Sequence, residues 1–299
     1  MSEQLSKGNL FNPELVTKVI NKVKGHSSIA KLSPQKPIPF NGQREFVFDF
    51  DSDIDIVAEN GKKTHGGVSL EPVTIVPLKV EYGARVSDEF LYASEEAKVD
   101  MLTDFVEGFS KKLARGLDIM SIHGINPRTK QASTIIGDNC FDKKVTQTVP
   151  FKETNPDENM EDAVGMIDGS ERDITGAILD PIFTTALSKM KNAEGGKLYP
   201  ELAWGGVPDA INGLAVDKNR TVSYSQTDPK NTAIVGDFET MFKWGYAKEV
   251  PMEIIKYGDP DNSGRDLKGH NQIYIRCEAY IGWGIMDAAS FARIVKTGG

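Results

Sequence analysis

The feature that most constrains the fold is a run of alternating apolar and acidic side chains at residues 45–56. The apolar members are Phe46, Phe48, Phe50, Ile54 and Ile56, and the acidic members are Glu45, Asp49, Asp51, Asp53 and Asp55. A period of two predicts a long strand with one apolar face. A glycine-rich tip at 61–67 and a second strand over 73–86 complete a hairpin. Because a lone hairpin is marginal in water, we expect another surface, belonging to a neighbouring subunit, to cover its apolar face.

The acidic half of this run resembles the start of a calcium-binding loop, Asp49-x-Asp51-x-Asp53. The rest of the loop does not follow, because Ile54 occupies the position of the turn glycine and Asn60 that of the final glutamate. We therefore interpret the aspartates as a solvated strand face and expect no bound metal.

Helical spacing is clearest over residues 94–122, where apolar side chains recur every three or four positions. At 1.5 Å per residue this helix would be roughly 40 Å long and would act as a strut. Before the hairpin, a short helix is predicted from Asn12 to Gly25. The proline-rich segment at 26–42 then predicts an extended connector.

The remaining chain predicts a mixed α/β region at 128–235, with one helix at 155–169 and another that starts after Asp180 and ends at Gly195-Gly196. Strand-like segments follow at 250–255 and 273–285. The fold class predicted from these elements is α+β.

The sequence contains no glycine-rich nucleotide-binding motif, no HExxH motif of metal-dependent hydrolases and no GxSxG motif of serine hydrolases. Two distant cysteines do not have zinc-site spacing, so no cofactor, metal or catalytic residue is predicted.

With 35 basic and 43 acidic residues the net charge is −8, which argues against sequence-specific nucleic-acid binding. No targeting or membrane segment is predicted. Asp118, His123 and a remote serine could form a hydrolase-like triple, but any chain of this length offers such combinations by chance.

Several stretches resemble the major capsid proteins of tailed double-stranded DNA bacteriophages, which have the Hong Kong 97 type of fold. The resemblance covers nearly the whole chain and rests on the order and spacing of these segments. They are Pro72-Val73-Thr74-Ile75-Val76-Pro77-Leu78-Lys79-Val80, Val86-Ser87-Asp88-Glu89-Phe90-Leu91, Gly116-Leu117-Asp118 with His123-Gly124, Ile211-Asn212-Gly213-Leu214-Ala215-Val216, Val235-Gly236-Asp237-Phe238, Asn271-Gln272-Ile273-Tyr274-Ile275-Arg276 and Ala288-Ala289-Ser290-Phe291-Ala292.

The resemblance implies four parts, which coincide in order with the segments above. They are an N-terminal arm at 1–39, an extended hairpin called the E-loop at 40–82, a peripheral domain with a spine helix at 83–127 and 240–286, and an axial domain at 128–239 and 287–299. It also implies hexamers and pentamers that form an icosahedral shell around double-stranded DNA in the virion. A separate scaffolding protein, a portal protein and assembly in the host bacterial cytoplasm, without a membrane, are further expectations.

Inter-subunit contacts are expected at the hairpin through Phe46, Phe48, Phe50, Lys62 and Lys63. In one branch of the family a hairpin lysine is joined covalently to an asparagine with the help of a glutamate. Lys62 or Lys63, Asn271 and Glu278 would be the counterparts. Because a strand would place Asn271 and Glu278 on opposite faces, we expect structural roles for them and no cross-link.

Two other functions stay open on sequence alone. An encapsulin-like bacterial compartment shell has the same fold and would need a groove for a cargo peptide. A soluble hydrolytic enzyme is the alternative of a different class. Gel filtration and electron microscopy of the purified chain distinguish a shell protein from a soluble monomer with turnover.

Overall fold

Three β-sheets and one long helix organise the chain in the computed structural model, which describes residues 27–50, 52–63, 65–92, 95–224, 230–248 and 252–297. The helix predicted at 12–25 lies outside the described residues. The α-helices are α1 Ser28–Leu32, α2 Glu95–His123, α3 Phe141–Lys144, α4 Pro156–Asp168 and α5 Pro181–Lys189. The strands are β1 Gln43–Phe50, β2 Val68–Ile75, β3 Leu78–Ser87, β4 Thr148–Pro150, β5 Gly176–Leu179, β6 Ala210–Ile211, β7 Leu214–Lys218, β8 Lys230–Gly236, β9 Phe242–Lys248, β10 Met252–Ile255, β11 Gln272–Ile285 and β12 Phe291–Lys296. Short 3₁₀ helices lie at Asp88–Tyr92, Pro200–Gly205, Lys268–His270 and Ala288–Ser290.

The predicted strut is confirmed as α2, within one residue of its expected ends. Its buried side chains repeat every three or four residues and include Val106, Phe109, Leu113 and Leu117. They belong to one apolar cluster with residues of β9 and β11, such as Trp244 and Trp283. The helix is therefore fixed along its C-terminal half by a core that it shares with the sheet of β3, β9, β10 and β11.

The hairpin is shorter than predicted. Strand β1 ends at Phe50, opposite Val68, so the alternating pattern at 52–56 does not continue the strand. The predicted return strand at 73–86 is divided in two. Strand β2 ends at Ile75 in the hairpin, and β3 begins at Leu78 and pairs with β11 in another sheet. Pro77, which has no N–H to donate, marks the change of partner.

The connector predicted at 26–42 is not entirely extended, because it contains the short helix α1. Ser27 caps this helix by accepting a hydrogen bond from Ala30 N at 3.1 Å, and the prolines begin only after its end. The following residues lie along the edge of β9. Lys36 N donates to Trp244 O at 2.9 Å and Ile38 N to Tyr246 O at 3.2 Å.

A six-stranded sheet with the order β4-β12-β8-β5-β7-β6 forms the mixed α/β region. Alternate residues of its central strands point to different cores: Ile178 and Ile234 join the core of α2, whereas Ala177 and Val235 face α4 and α5. Both predicted helices are confirmed as α4 and α5. The second ends at Lys189, before the glycines expected to stop it. Among the described helices none is long and apolar enough to cross a membrane.

Candidate assembly surfaces and the anchor of the arm

The hairpin exposes apolar side chains over most of its described length. Phe46 is 51% exposed, and the non-strand segment beyond β1 carries Ile54 at 98% and Ile56 at 96%. The backbone of β1 places Phe48 and Phe50 on the same face as Phe46, with Leu70 and Val68 as their pairing partners. The exposed side chains of Phe46, Ile54 and Ile56 indicate a contact surface.

The predicted contact lysines, Lys62 and Lys63, lie in the loop between the hairpin strands and are exposed. Asp53 and Asp55 are exposed in the same loop. The geometry thus brings basic, acidic and apolar groups together at the outer end of the hairpin. Their role in inter-subunit contact stays a prediction.

The base of the hairpin, in contrast, is held by the rest of the subunit. Glu45 receives hydrogen bonds from Lys243 Nζ and Gln43 Nε2, both at 2.7 Å. Ile75, only 1% exposed, packs in a small core with Ile38 and Met286. The hairpin is therefore anchored at its base, whereas the described residues of its outer end, 52–63 and 65–67, are exposed.

A buried carboxylate anchors the arm. Asp118, on α2, is fully buried and accepts hydrogen bonds from the hydroxyl of Ser27 and from the backbone N–H groups of Ser28 at 3.2 Å and Ile29 at 3.3 Å. From the other side it accepts from Asn219 Nδ2 at 2.9 Å and Thr221 Oγ1 at 3.0 Å. One carboxylate thus joins the arm, the long helix and the loop after β7.

Two residues of α1 make three further contacts with the β6–β7 region. The hydroxyl of Ser28 donates to Asp217, and Lys31 Nζ lies 2.9 Å from Asp209 and 3.2 Å from Asp217. We call α1 and its cap Ser27, together with these partners, the arm clip. Because its contacts reach both α2 and β7, the arm clip connects the helix to the six-stranded sheet.

Burial dominates the electrostatics of this anchor. It raises the pKa of the Asp118 carboxyl to about 6, because the charged form has lost its hydration. The hydrogen bonds from Ser27 and Thr221, followed by those from the two backbone groups, act in the opposite direction. Sequence analysis missed this role. The available signal was an aspartate placed between Leu117 and Ile119 in an apolar stretch of the helix.

The enzyme-like triple of Asp118, His123 and a serine is not assembled. Asp118 does contact Ser27, but His123 Nδ1 lies 2.7 Å from Asp142 Oδ2 and Nε2 lies 2.8 Å from Thr221 O. A carbonyl oxygen only accepts, so Nε2 carries a proton and donates to it. With both ring nitrogens occupied, His123 is not available to take a proton from Ser27.

Asp142 also belongs to a structural network that the sequence did not indicate. Its Oδ1 accepts hydrogen bonds from Asn231 Nδ2 at 2.7 Å and from Arg293 Nη1 at 3.1 Å. Arg293 also donates through Nε to Val145 O at 3.0 Å. Together with the contact between His123 and Asp142, these bonds join α3, β8 and β12 to the end of α2.

Two of the residues named for a covalent cross-link have structural contacts within the subunit. Asn271 directly precedes β11 and has a left-handed backbone with φ 52°, whereas Glu278 lies seven positions further along, inside the strand. Glu278 Oε1 lies 2.8 Å from Lys79 Nζ and 3.3 Å from Arg276 Nε, which confirms its expected salt bridge. Asn271 accepts a backbone hydrogen bond from Asp88 N at 2.9 Å.

The loop between β10 and β11 closes around Arg85, another role that the sequence did not reveal. Arg85 Nη2 lies 2.6 Å from both Asp259 Oδ1 and Asp261 Oδ1, and donates to Arg265 O at 2.8 Å. Hydrogen bonding from Arg85 holds the pKa of Asp261 well below its usual range. The guanidinium therefore holds this acidic loop against β3.

Comparisons with known proteins agree with this architecture. A model of the phage capsid family matches residues 7–296. A solved chain from Mycobacterium phage Ogopogo is 30% identical, with a TM-score of 0.77 over 91% of this chain and 92% of that one. A chain from Gordonia phage Cozz is 22% identical, with a TM-score of 0.75 over 92% and 87%. The capsid of an empty GTA particle is 14% identical, with a TM-score of 0.64 over 91% and 90%. None of the curated proteins is a significant match.

Proposed function

The chain belongs to the phage capsid family and is a shell-forming major capsid protein, and from this premise we propose that it assembles as hexamers and pentamers into an icosahedral head around double-stranded DNA. The observation that carries this proposal is the hairpin, which is anchored at Glu45 and Ile75 and carries an apolar row beyond its base. Such a surface is costly in an isolated subunit and is stabilised when a second copy covers it.

We propose a purely structural role, with no catalytic step. The chain is a component of the virion, and we place its assembly in the cytoplasm of the bacterial host. A separate scaffolding protein would set the size of the shell, and a portal protein would occupy one vertex. The net charge of −8 fits a shell that encloses DNA without gripping it strongly.

Contacts at the hairpin would come from Phe46, Phe48, Phe50, Lys62 and Lys63. The salt bridge between Glu278 and Lys79 supports a shell held together without covalent links. Denatured particles should then run as a single band near 32.8 kDa on gels.

Electron microscopy and analytical ultracentrifugation of the full chain, expressed alone and with its neighbouring genes, test the proposal. We expect capsomers or closed shells. A stable monomer of 32.8 kDa in every condition would refute the assembly proposal. A gel ladder that disappears in Lys62→Ala or Lys63→Ala would refute the absence of covalent links but not the assembly proposal.

A further inference from the structure

A row of basic side chains lies on the exposed face of α2, near the arm clip. Lys111, Lys112 and Arg115 are exposed and occupy adjacent positions at helical spacing. Arg115 lies over the ring of Tyr224 at 5.0 Å from its centroid. The turn that carries Tyr224 also contacts Asp118 through Asn219 and Thr221. We call Lys111, Lys112 and Arg115 the basic strip.

Within the described part of the subunit, none of the three cations of the basic strip forms an ion pair with a carboxylate. Asp118, on the same helix, is buried in the arm clip. Other cations of this acidic chain do pair, as Lys79 does with Glu278. Three unpaired cations on one helix face are therefore a local exception to the overall charge.

The composition of the basic strip favours a phosphate backbone over a protein surface as its partner. Protein interfaces have an apolar or aromatic centre that excludes water. Between Gly108 and Arg115, however, the exposed positions of α2 are one glycine and three cations. Nucleic-acid backbones are contacted mainly by lysine, arginine and polar groups, and those interfaces are strongly positive.

We propose that the basic strip binds the phosphodiester backbone of the enclosed double-stranded DNA, without reading its sequence. This inference rests on the proposed function, because it requires DNA inside the shell, and it implies that this face of α2 lines the interior. Only a few phosphates would be neutralised per subunit, so each contact is weak and sensitive to salt. Many weak contacts would order the outer DNA layer and still let it move during packaging and release.

The test measures binding of a short fluorescent DNA duplex of arbitrary sequence to capsomers of the full chain, by anisotropy between about 50 and 200 mM salt. We expect Lys111→Glu with Lys112→Glu to weaken binding about tenfold or more at the lowest salt, and to reduce the slope of log affinity against log salt by about two. The control, Lys191→Glu with Lys197→Glu, changes two exposed lysines elsewhere and should stay within about twofold of the wild type.

Three other outcomes would contradict the proposal. Equal losses of affinity in both double variants would mean that binding of the duplex depends only on the net charge of the subunit. Polyglutamate that competes as well as DNA of equal charge would mean that the basic strip prefers acidic protein. If the Lys111/Lys112 variant binds DNA normally but fails to form shells, the strip is a contact between copies. Wild-type chain that forms no shells would instead refute the proposed function, while leaving the binding measurement interpretable.

Discussion

The hairpin and the arm clip are both held to the subunit at a few points. They differ in what the rest of the subunit provides: hydrogen-bond donors for the buried carboxylate of the arm clip, but little cover for the exposed apolar side chains of the hairpin. In the arm clip, Asp118 receives five hydrogen bonds from the arm and from the loop after β7, all within the chain. In the hairpin, Phe46, Ile54 and Ile56 are left largely exposed. Within the described residues, the buried carboxylate of the arm clip thus has all its partners in the same subunit, whereas Phe46, Ile54 and Ile56 of the hairpin stay exposed to solvent.

This contrast separates folding from assembly. A buried carboxylate without its donors is costly, so the arm clip has to form when the subunit folds. Exposed apolar side chains cost less, and the gain from covering them becomes available only in the shell. Changes in the arm clip should therefore lower the stability of the subunit, whereas changes in the hairpin should lower assembly.

The largest expected effect is on assembly, from the combined change of Phe46, Phe48 and Phe50 to serine. Each buried ring contributes on the order of 2 kcal/mol, so the triple variant removes most of the apolar gain at every hairpin contact. We expect no shells by electron microscopy, and an unfolding midpoint of the unassembled subunit close to that of the wild type.

A matched control changes exposed acids in the same hairpin, Asp53→Ser with Asp55→Ser, and should leave shell formation intact. Normal particles from the triple phenylalanine variant would show that the hairpin does not carry the main contact. Subunits that unfold in the triple variant would show that the apolar face belongs to the core of the monomer.

The sequence predicted elements well where the signal lies within the element itself. The bounds of α2 and α4 follow from apolar spacing, and the start of α5 follows from its cap Asp180, whose side chain accepts from Ile182 N at 2.8 Å. The end of α5, at Lys189, was not predicted. The hairpin was predicted less accurately, because the ends of β1 and β2 depend on which distant residues pair. Pro77 alone did not reveal that the chain changes sheets there.

The arm clip could not be predicted for a related reason. Asp118 obtains its donors from positions about 90 and 100 residues away, and no local pattern encodes such pairing. The same applies to Arg85, whose partners Asp259 and Asp261 are about 175 residues distant. The exposed apolar side chains Phe46, Ile54 and Ile56, by contrast, stood out in the sequence, because they are recognised by their alternation with acidic residues. Their role in inter-subunit contact stays a prediction.

The second prediction concerns the stability of the arm clip. Asp118→Ala would leave five donors without their common acceptor, and we expect it to lower the free energy of unfolding by about 3 to 5 kcal/mol. Asp118→Asn keeps one acceptor oxygen and should cost less. Urea unfolding of the unassembled subunit provides the measurement.

Its control is Asp209→Ala, which removes a carboxylate that is 94% exposed and also bound to the arm through Lys31. An exposed ion pair contributes at most about 1 kcal/mol, so this variant should resemble the wild type. Equal losses in the Asp118 and Asp209 variants would contradict a central role for the buried carboxylate.

A third prediction tests whether the arm lies on the edge of β9 as a strand. A Cβ atom at Gly245 would overlap the carbonyl oxygen of Lys36, so Gly245→Ala has to displace the arm there. We expect a loss of about 3 kcal/mol and faster proteolysis after Ser33. Gly165→Ala is the matched control, because its Cβ meets nothing within 4 Å inside α4 and should stabilise the subunit by about 1 kcal/mol. Unchanged proteolysis in Gly245→Ala would place the arm elsewhere in solution.

The smallest expected effect is the pH dependence of the arm clip. The pKa of Asp118 is raised from 3.8 to about 6 in the folded chain, so the native state holds this proton at pH values where the unfolded state has released it. The contribution of this group to the free energy of unfolding is therefore greatest below about pH 4 and is lost as the pH rises towards 6 and above. Between about pH 4.5 and pH 7 the loss amounts to about 2 kcal/mol. Since the amide introduced by Asp118→Asn does not titrate, the stability of this variant relative to the wild type should improve by that amount over the same range. If the free energy of unfolding of the wild type instead rose relative to that of the variant with increasing pH, the five hydrogen bonds would lower the pKa more than burial raises it. The carboxylate would then be ionised in the folded chain. The arm clip would then be strongest at neutral pH, and acid would release the arm while leaving the hairpin contacts unaffected.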